Sequence, residues 1–234
     1  MSTLQDDINM FFNWAEEQRQ RINQLEDRRF RKILLISLLE MLASSAFPNK
    51  SVRERFISLI DGYSGWQDKD RISIPQLRII LLNPSQGVDE QEHQALFQAV
   101  SKEIDVWPFG RILRSDEVDP FWQTWPHFAK YIGCQDLIKK ARYANLLWRF
   151  RNFIVHEGRS PGNSFEISSD NSTPYYLATD DLNGNTMWEL TMPAEFISNI
   201  VKACASNLKK DYFEALKIDP YNSFTSKSNW FDGP

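Results

Sequence analysis

Tyr143-Ala144-Asn145-Leu146-Leu147-Trp148-Arg149-Phe150-Arg151-Asn152-Phe153-Ile154-Val155-His156 reads as the closing half of a long amphipathic helix. At about 100° per residue, residues 141 to 156 sort into three faces. Tyr143, Leu146, Leu147, Phe150, Phe153 and Ile154 make a broad apolar face that needs a core to cover it. Ala141, Ala144, Trp148, Arg151 and Val155 make a second face, whose two alanines permit close helix approach. Arg142, Asn145, Arg149, Asn152 and His156 make a third ridge, polar throughout. A helix of this kind belongs in a bundle, and the rest of the chain supplies helices to pack against it.

Residues 4 to 46 read as helix, polar in the first half and apolar nearly all round from Ile33 to Ala43, as in a buried helix. Ser51 and Glu54 have capping-box spacing and open a short helix to about Ile60. Pro75 opens another through Leu82, and Asp89 to Ile104 is amphipathic. Val106 to Pro126, rich in Trp, Pro and Phe, predicts irregular structure around short helices. The helix that holds the opening stretch runs from about Gln135 to Val155 and stops at Gly158. Three β-like pieces follow, Ser164–Ile167, Tyr175–Ala178 and Thr186–Thr191, with a hairpin-type turn at Asp181–Asn185. Pro193 starts a last helix, Ala194 to Leu216. The expected fold is mainly α: one helical-bundle domain over 1–216 with a small β-hairpin insert at about 164–191. A loosely held tail is expected over 217–234.

The chain has 234 residues, a formal net charge of -4 and a pI of about 5.5, which excludes a bulk polycation that coats nucleic acid. No apolar run reaches the roughly 18 residues of a membrane span. The acidic start, Met1 to Asp7, lacks a signal-peptide pattern, so a cytoplasmic protein with no membrane partner is expected. Cys134 and Cys204 read as buried thiols rather than a disulfide framework. His93, His127 and His156 show no zinc-ligand spacing, so neither metal nor cofactor is expected.

Against that acidic background, residues 135 to 159 hold six basic side chains (Lys139, Lys140, Arg142, Arg149, Arg151, Arg159) and two acids (Asp136, Glu157), a local charge of +4. Such a strip suits a phosphate, and Arg142, Asn145 and Arg149 are the candidate phosphate-binding residues. The alternative is a solvated helix face. Arg151, Asn152 and His156 carry the clearest chemistry: a guanidinium grips a phosphate with two parallel hydrogen bonds, and an imidazole moves protons near neutral pH. Asn152 and His156, four apart, lie about 40° from each other around the axis and can cooperate. Arg151 and His156, five apart, are about 140° apart. They meet if the helix end distorts, if Arg151 reaches round, or if a second subunit completes the site.

Glu40, a carboxylate inside an apolar helix, calls for a partner, and Arg151 or His156 can be it. Ser37 and Ser44 line up with it at helical spacing and read as packing residues. Glu157 can tune His156 or simply end the helix. His93 and His127 read as ordinary. Trp107, Phe109, Trp122, Trp125 and Phe128 can stack bases, but read as core.

Arg151, Asn152 and His156, with four residues between the arginine and the histidine, resemble the signature of HEPN domains, the higher eukaryote and prokaryote nucleotide-binding family. The resemblance covers this motif and the general helical layout. It implies a bundle of four or five helices that dimerises across the motif helix. It further implies a metal-independent endoribonuclease, often a toxin or defence effector, restrained by an antitoxin or other regulatory partner. Carried over, His156 takes or donates a proton, Arg151 stabilises the phosphorane formed by attack of the RNA 2′-OH, and Asn152 orients His156 or the phosphate. Glu40, Arg149 and Glu157 are supporting candidates. Some members keep the fold without activity, so the second expectation is an inactive module that binds a nucleotide, RNA or a protein.

Overall fold

The computed structural model describes residues 3–83, 88–159, 161, 166, 172–180, 186–216 and 218–221. The chain is mainly helical, with a small three-stranded antiparallel sheet whose hairpin precedes the last α-helix. In chain order the elements are α1 (Leu4–Asn23), α2 (Arg28–Ala46), α3 (Val52–Tyr63), α4 (Ile74–Leu81), α5 (Glu90–Asp105), β1 (Leu113–Arg114), α6 (Ser115–Val118), α7 (Pro126–Lys130), α8 (Gln135–Lys140), α9 (Tyr143–His156), β2 (Tyr175–Asp180), β3 (Thr186–Thr191) and α10 (Ala194–Asp211). One π-helical turn, Tyr212–Leu216, continues α10. The expected β piece at Ser164–Ile167 falls almost wholly outside the described residues, as does most of the expected tail; the turn at Asp181–Asn185 falls wholly outside.

Side chains at the helix starts set most boundaries. Ser51 and Glu54 form the expected capping box on α3, and Ser73 accepts from the Gln76 amide at the start of α4, where Pro75 sits in the first turn. The expected single helix over 4–46 is two. Asp27 caps α2 by accepting from the amides of Arg29 (2.7 Å) and Phe30 (3.1 Å), which starts a new helix in place of continuing the old one.

The chain divides into two compact units. The first takes its described residues from Met1–Trp66, Arg151–Arg159 and Ala194–Pro234. Here α2 buries Leu35, Ile36, Leu38, Leu39, Met41, Leu42 and Ala43, as its all-round apolarity predicts, and α10 packs on α1, α2 and α3. Polar locks pin its ends: Tyr63 donates to Asp211 at 2.7 Å, and Tyr212 to the Ser45 carbonyl at 2.8 Å. Cys204 is buried here and free, and burial pushes its thiol up.

The second unit comprises described residues of Gln67–Phe150 and Ser160–Pro193. Strands run in the order β1-β2-β3, with Leu113 opposite Tyr176 and Tyr175 opposite Thr191. The Trp107, Tyr176 and Trp188 rings meet at 5.3 and 5.4 Å, so Trp107 is core. Trp125 is buried as well, and Trp122 meets Phe128 edge-on at 4.8 Å, whereas Phe109 is 64% exposed and stacks on Trp188. Cys134 is buried and free.

The expected continuous helix from Gln135 to Val155 is broken at Ala141 and Arg142. Arg142 bridges Ile72, the Ser73 amide donates to the Ala141 carbonyl at 3.1 Å, and the Tyr143 amide donates to Arg71 at 3.1 Å. Backbone groups that would have joined α8 to α9 pair with residues 71–73 instead. Gly158, at φ 64°, closes the C-terminal side, a left-handed position that glycine adopts without strain.

Beside this break lies a polar knot that no sequence pattern announces. Asp119, Tyr143, Tyr176 and Ser73 are all buried. Asp119 Oδ2 lies 2.7 Å from Tyr143 Oη and 2.6 Å from Tyr176 Oη; these two phenols are 2.7 Å apart, and Tyr176 lies 2.7 Å from Ser73 Oγ. Three hydroxyls supply three protons for four contacts, so one contact lacks a proton unless the carboxyl carries it. Burial pushes Asp119 up to about 7, outweighing the hydrogen bonds from Tyr176, the Ile74 amide and Tyr143 and the charge of Arg71, all of which pull it down. Arg71 also donates to the Asp119 carbonyl and pairs with Asp68, each at 2.5 Å.

The native pKa of Asp119 thus lies above the ordinary 3.8. Native protein keeps a proton that unfolded chain releases as pH rises from about 4 to about 7, so this residue's contribution to stability falls through that window. The slope is at most about 1.4 kcal/mol per pH unit. Asp119→Asn, neutral at every pH, is expected to flatten it. Denaturant midpoints from pH 4 to 7 for both proteins test this; parallel profiles refute it.

Candidate functional site

The motif residues lie at the C-terminal end of α9, in the first unit with Glu40 of α2. The helix stays α-helical through His156, and the arginine does the reaching. Arg151 Nη1 lies 3.0 Å from Asn152 Oδ1 and 2.6 Å from His156 Nε2. Its Nε donates to Glu40 Oε1 at 2.7 Å, and its Nη2 meets the same oxygen at 2.5 Å. Of the three routes open to the sequence, reach alone brings the guanidinium to the imidazole within one chain. Glu40 has Arg151 as its partner.

A guanidinium has donors and no acceptor, which fixes several neighbouring states. Asn152 turns its amide oxygen to Arg151. His156 accepts through Nε2, so its ring is neutral with the proton on Nδ1. The Arg151 side chain is 11% exposed and that of Glu40 20%, so the pair is screened little compared with a surface ion pair. His156 itself is exposed. The constellation can present a cation with oriented donors beside an accessible imidazole.

The ridge residues are placed otherwise. Arg142 precedes α9, and its Nε stands 2.9 Å from Asp70 Oδ1 as an ion pair without hydrogen-bond alignment. Asn145 donates to the Lys139 carbonyl at 2.8 Å, which caps the end of α8. Both belong, with exposed Arg149, to the second unit. Glu157 binds Arg159 at 2.7 Å, and Lys139 stands 3.9 Å from Asp136. Four of the six cations in the basic strip therefore have carboxylate partners: Arg142, Arg151, Arg159 and Lys139. Arg149 and Lys140 are exposed.

Ser37 turns its hydroxyl to the Ile33 carbonyl of its own helix at 2.9 Å. His127 lies 3.2 Å from Glu103, and His93 is buried, its Nε2 unpartnered among the described residues. Among the described residues, no group of three or more His, Cys, Asp or Glu side chains is placed to hold a metal ion, and no helix is long and apolar enough to cross a membrane.

Removing Glu40 leaves the Arg151 cation partly buried without its carboxylate. Glu40→Ala is expected to destabilise the protein by roughly 1–3 kcal/mol. The double variant with Arg151→Ala should lose less than the sum of the two single changes, with a coupling above about 0.5 kcal/mol. Additive losses in urea denaturation would show that the pair is not energetically coupled. Comparison of the chain with protein-family models, with curated proteins and with solved structures gives no match in any of the three.

Proposed function

We infer that the chain is a metal-independent endoribonuclease of HEPN type. The observation that carries this reading is the single guanidinium of Arg151 touching both Asn152 and His156 while Glu40 holds it from behind. In this reading His156 takes the proton of an RNA 2′-OH, whose oxygen attacks phosphorus. Arg151 stabilises the charge of the phosphorane, and Asn152 orients the phosphate or the imidazole. The P–O5′ bond breaks, the leaving oxygen takes a proton, and a 2′,3′-cyclic phosphate and a 5′-hydroxyl remain. A homodimer across the motif helix, an antitoxin or other regulatory partner, and a role as toxin or defence effector belong to the same proposal.

A second reading is a binding module without chemistry, for RNA, a nucleotide or a protein. The pairing of four of the six cations in the basic strip favours it, because little net charge is left for steering a polyanion.

RNA incubated with purified protein in the presence of a chelator separates the two. The nuclease reading expects cleavage of RNA but not of a 2′-deoxy substrate, and cyclic-phosphate ends. His156→Ala should lose about 10²- to 10⁴-fold in rate, and Arg151→Ala about 10²- to 10³-fold. Equal cleavage by wild type and His156→Ala sinks the assignment. RNA binding without cleavage, unchanged in both variants, establishes the binding module.

A further inference from the structure

We propose that Arg151 masks the base: in the free protein it occupies the Nε2 lone pair of His156, and an anion bound at Nη1 releases that lone pair for proton transfer. This deepens the ribonuclease reading and rests on it for its catalytic purpose. It names the regulation of the same site, substrate phosphate acting as the trigger.

The geometry behind it is a count of donors. Nη1 carries two hydrogens, and two acceptors stand within reach, Asn152 Oδ1 at 3.0 Å and His156 Nε2 at 2.6 Å. Nε and Nη2 are turned to Glu40 Oε1, which fixes the plane of the guanidinium and leaves Nη1 as the group facing the imidazole. With Nε2 accepting from Arg151, the ring cannot take a proton from a substrate hydroxyl at that nitrogen. Nη1 likewise cannot serve a phosphate without giving up one of its acceptors. At rest the Nη1 hydrogen and the Nε2 lone pair therefore occupy each other.

An arriving phosphate oxygen resolves the block in one exchange. A phosphate oxygen adds the attraction of opposite charges to the hydrogen bond from the guanidinium, which the neutral imidazole does not offer. The anion takes the Nη1 hydrogen that pointed at His156, and Glu40 keeps the guanidinium in place. His156 is exposed, so its ring is free to turn away. The freed Nε2 then lies beside a bound phosphate, where a 2′-OH would be presented. An imidazole competent only when a phosphate is in place confines proton abstraction to the bound substrate.

Ring ¹⁵N resonances of the full-length protein, labelled at histidine, report the state directly. The chain has three histidines, and His156→Gln assigns the signal. Without phosphate, His156 is expected as the Nδ1–H tautomer, with Nε2 in the unprotonated range. On titration with inorganic phosphate, Nε2 should lose the hydrogen bond from Arg151 and stay in the unprotonated range, its resonance moving to that of a lone pair without a donor, while His93 and His127 stay unchanged. In Arg151→Ala the ring should be free of the Nδ1–H restraint before any phosphate is added, with the His93 and His127 signals serving as the check of folding. A wild-type ring that starts as Nε2–H, or whose Nε2 is protonated by phosphate or does not respond to it, overturns the mask. If such a protein still cuts RNA, the ribonuclease reading stands without the mask. A responsive ring in a protein that cuts no RNA leaves an anion-released imidazole and removes the ribonuclease.

Discussion

One charged pair organises the candidate site. Glu40 and Arg151 are 111 residues apart in sequence, yet their side chains meet at 2.5 Å. A carboxylate on a helix as apolar as α2 is unfavourable unless a cation or donors meet it, and a guanidinium with so little exposure is unfavourable without an anion. Each residue makes the other tolerable. The pairing also fixes which way the free end of the guanidinium points, and Asn152 and His156 take their hydrogen-bonding roles from that direction. Without Glu40, Arg151 would be one more long side chain at a helix end, with no fixed relation to the imidazole.

Local chemistry was the legible part of the fold. The Ser51–Glu54 box, Pro75 at the start of α4 and the β-like run Thr186–Thr191 each act within a few residues, so a linear reading finds them. The break between α8 and α9 could not be found that way. Amphipathic periodicity continues across Ala141 and Arg142, and what interrupts the helix is pairing with Ile72 and its neighbours, some 70 positions earlier. Strand β1 was missed because two residues, Leu113 and Arg114, carry no alternation to detect. The gap between α1 and α2 was missed for a different reason: an aspartate at 27 suits an exposed helix surface as well as a cap, and only its bonds to the following amides distinguish the two.

The site was legible in its members more than in its geometry. Glu40 stood out as an acid among leucines, and the Arg151–His156 spacing supplied the rest. A helical wheel separated the arginine from the histidine because it places Cβ atoms and ignores the length of the arginine side chain. The wheel also overstated the basic ridge. It aligned Arg142 and Asn145 with His156, whereas Arg142 meets Asp70 and Asn145 caps α8. Charge counted along a sequence omits the carboxylates that folding brings to it.

The buried knot around Asp119 has a consequence for the proton balance of the whole molecule. The formal charge of -4 counts that residue as an anion. While it keeps its proton, below the value of about 7 to which burial pushes it, the folded chain carries one negative charge fewer than its composition states. Folding in mildly acidic solution then draws a proton from the buffer. The heat of folding measured in a calorimeter includes the ionisation enthalpy of that buffer, and changes when one buffer is exchanged for another at the same pH.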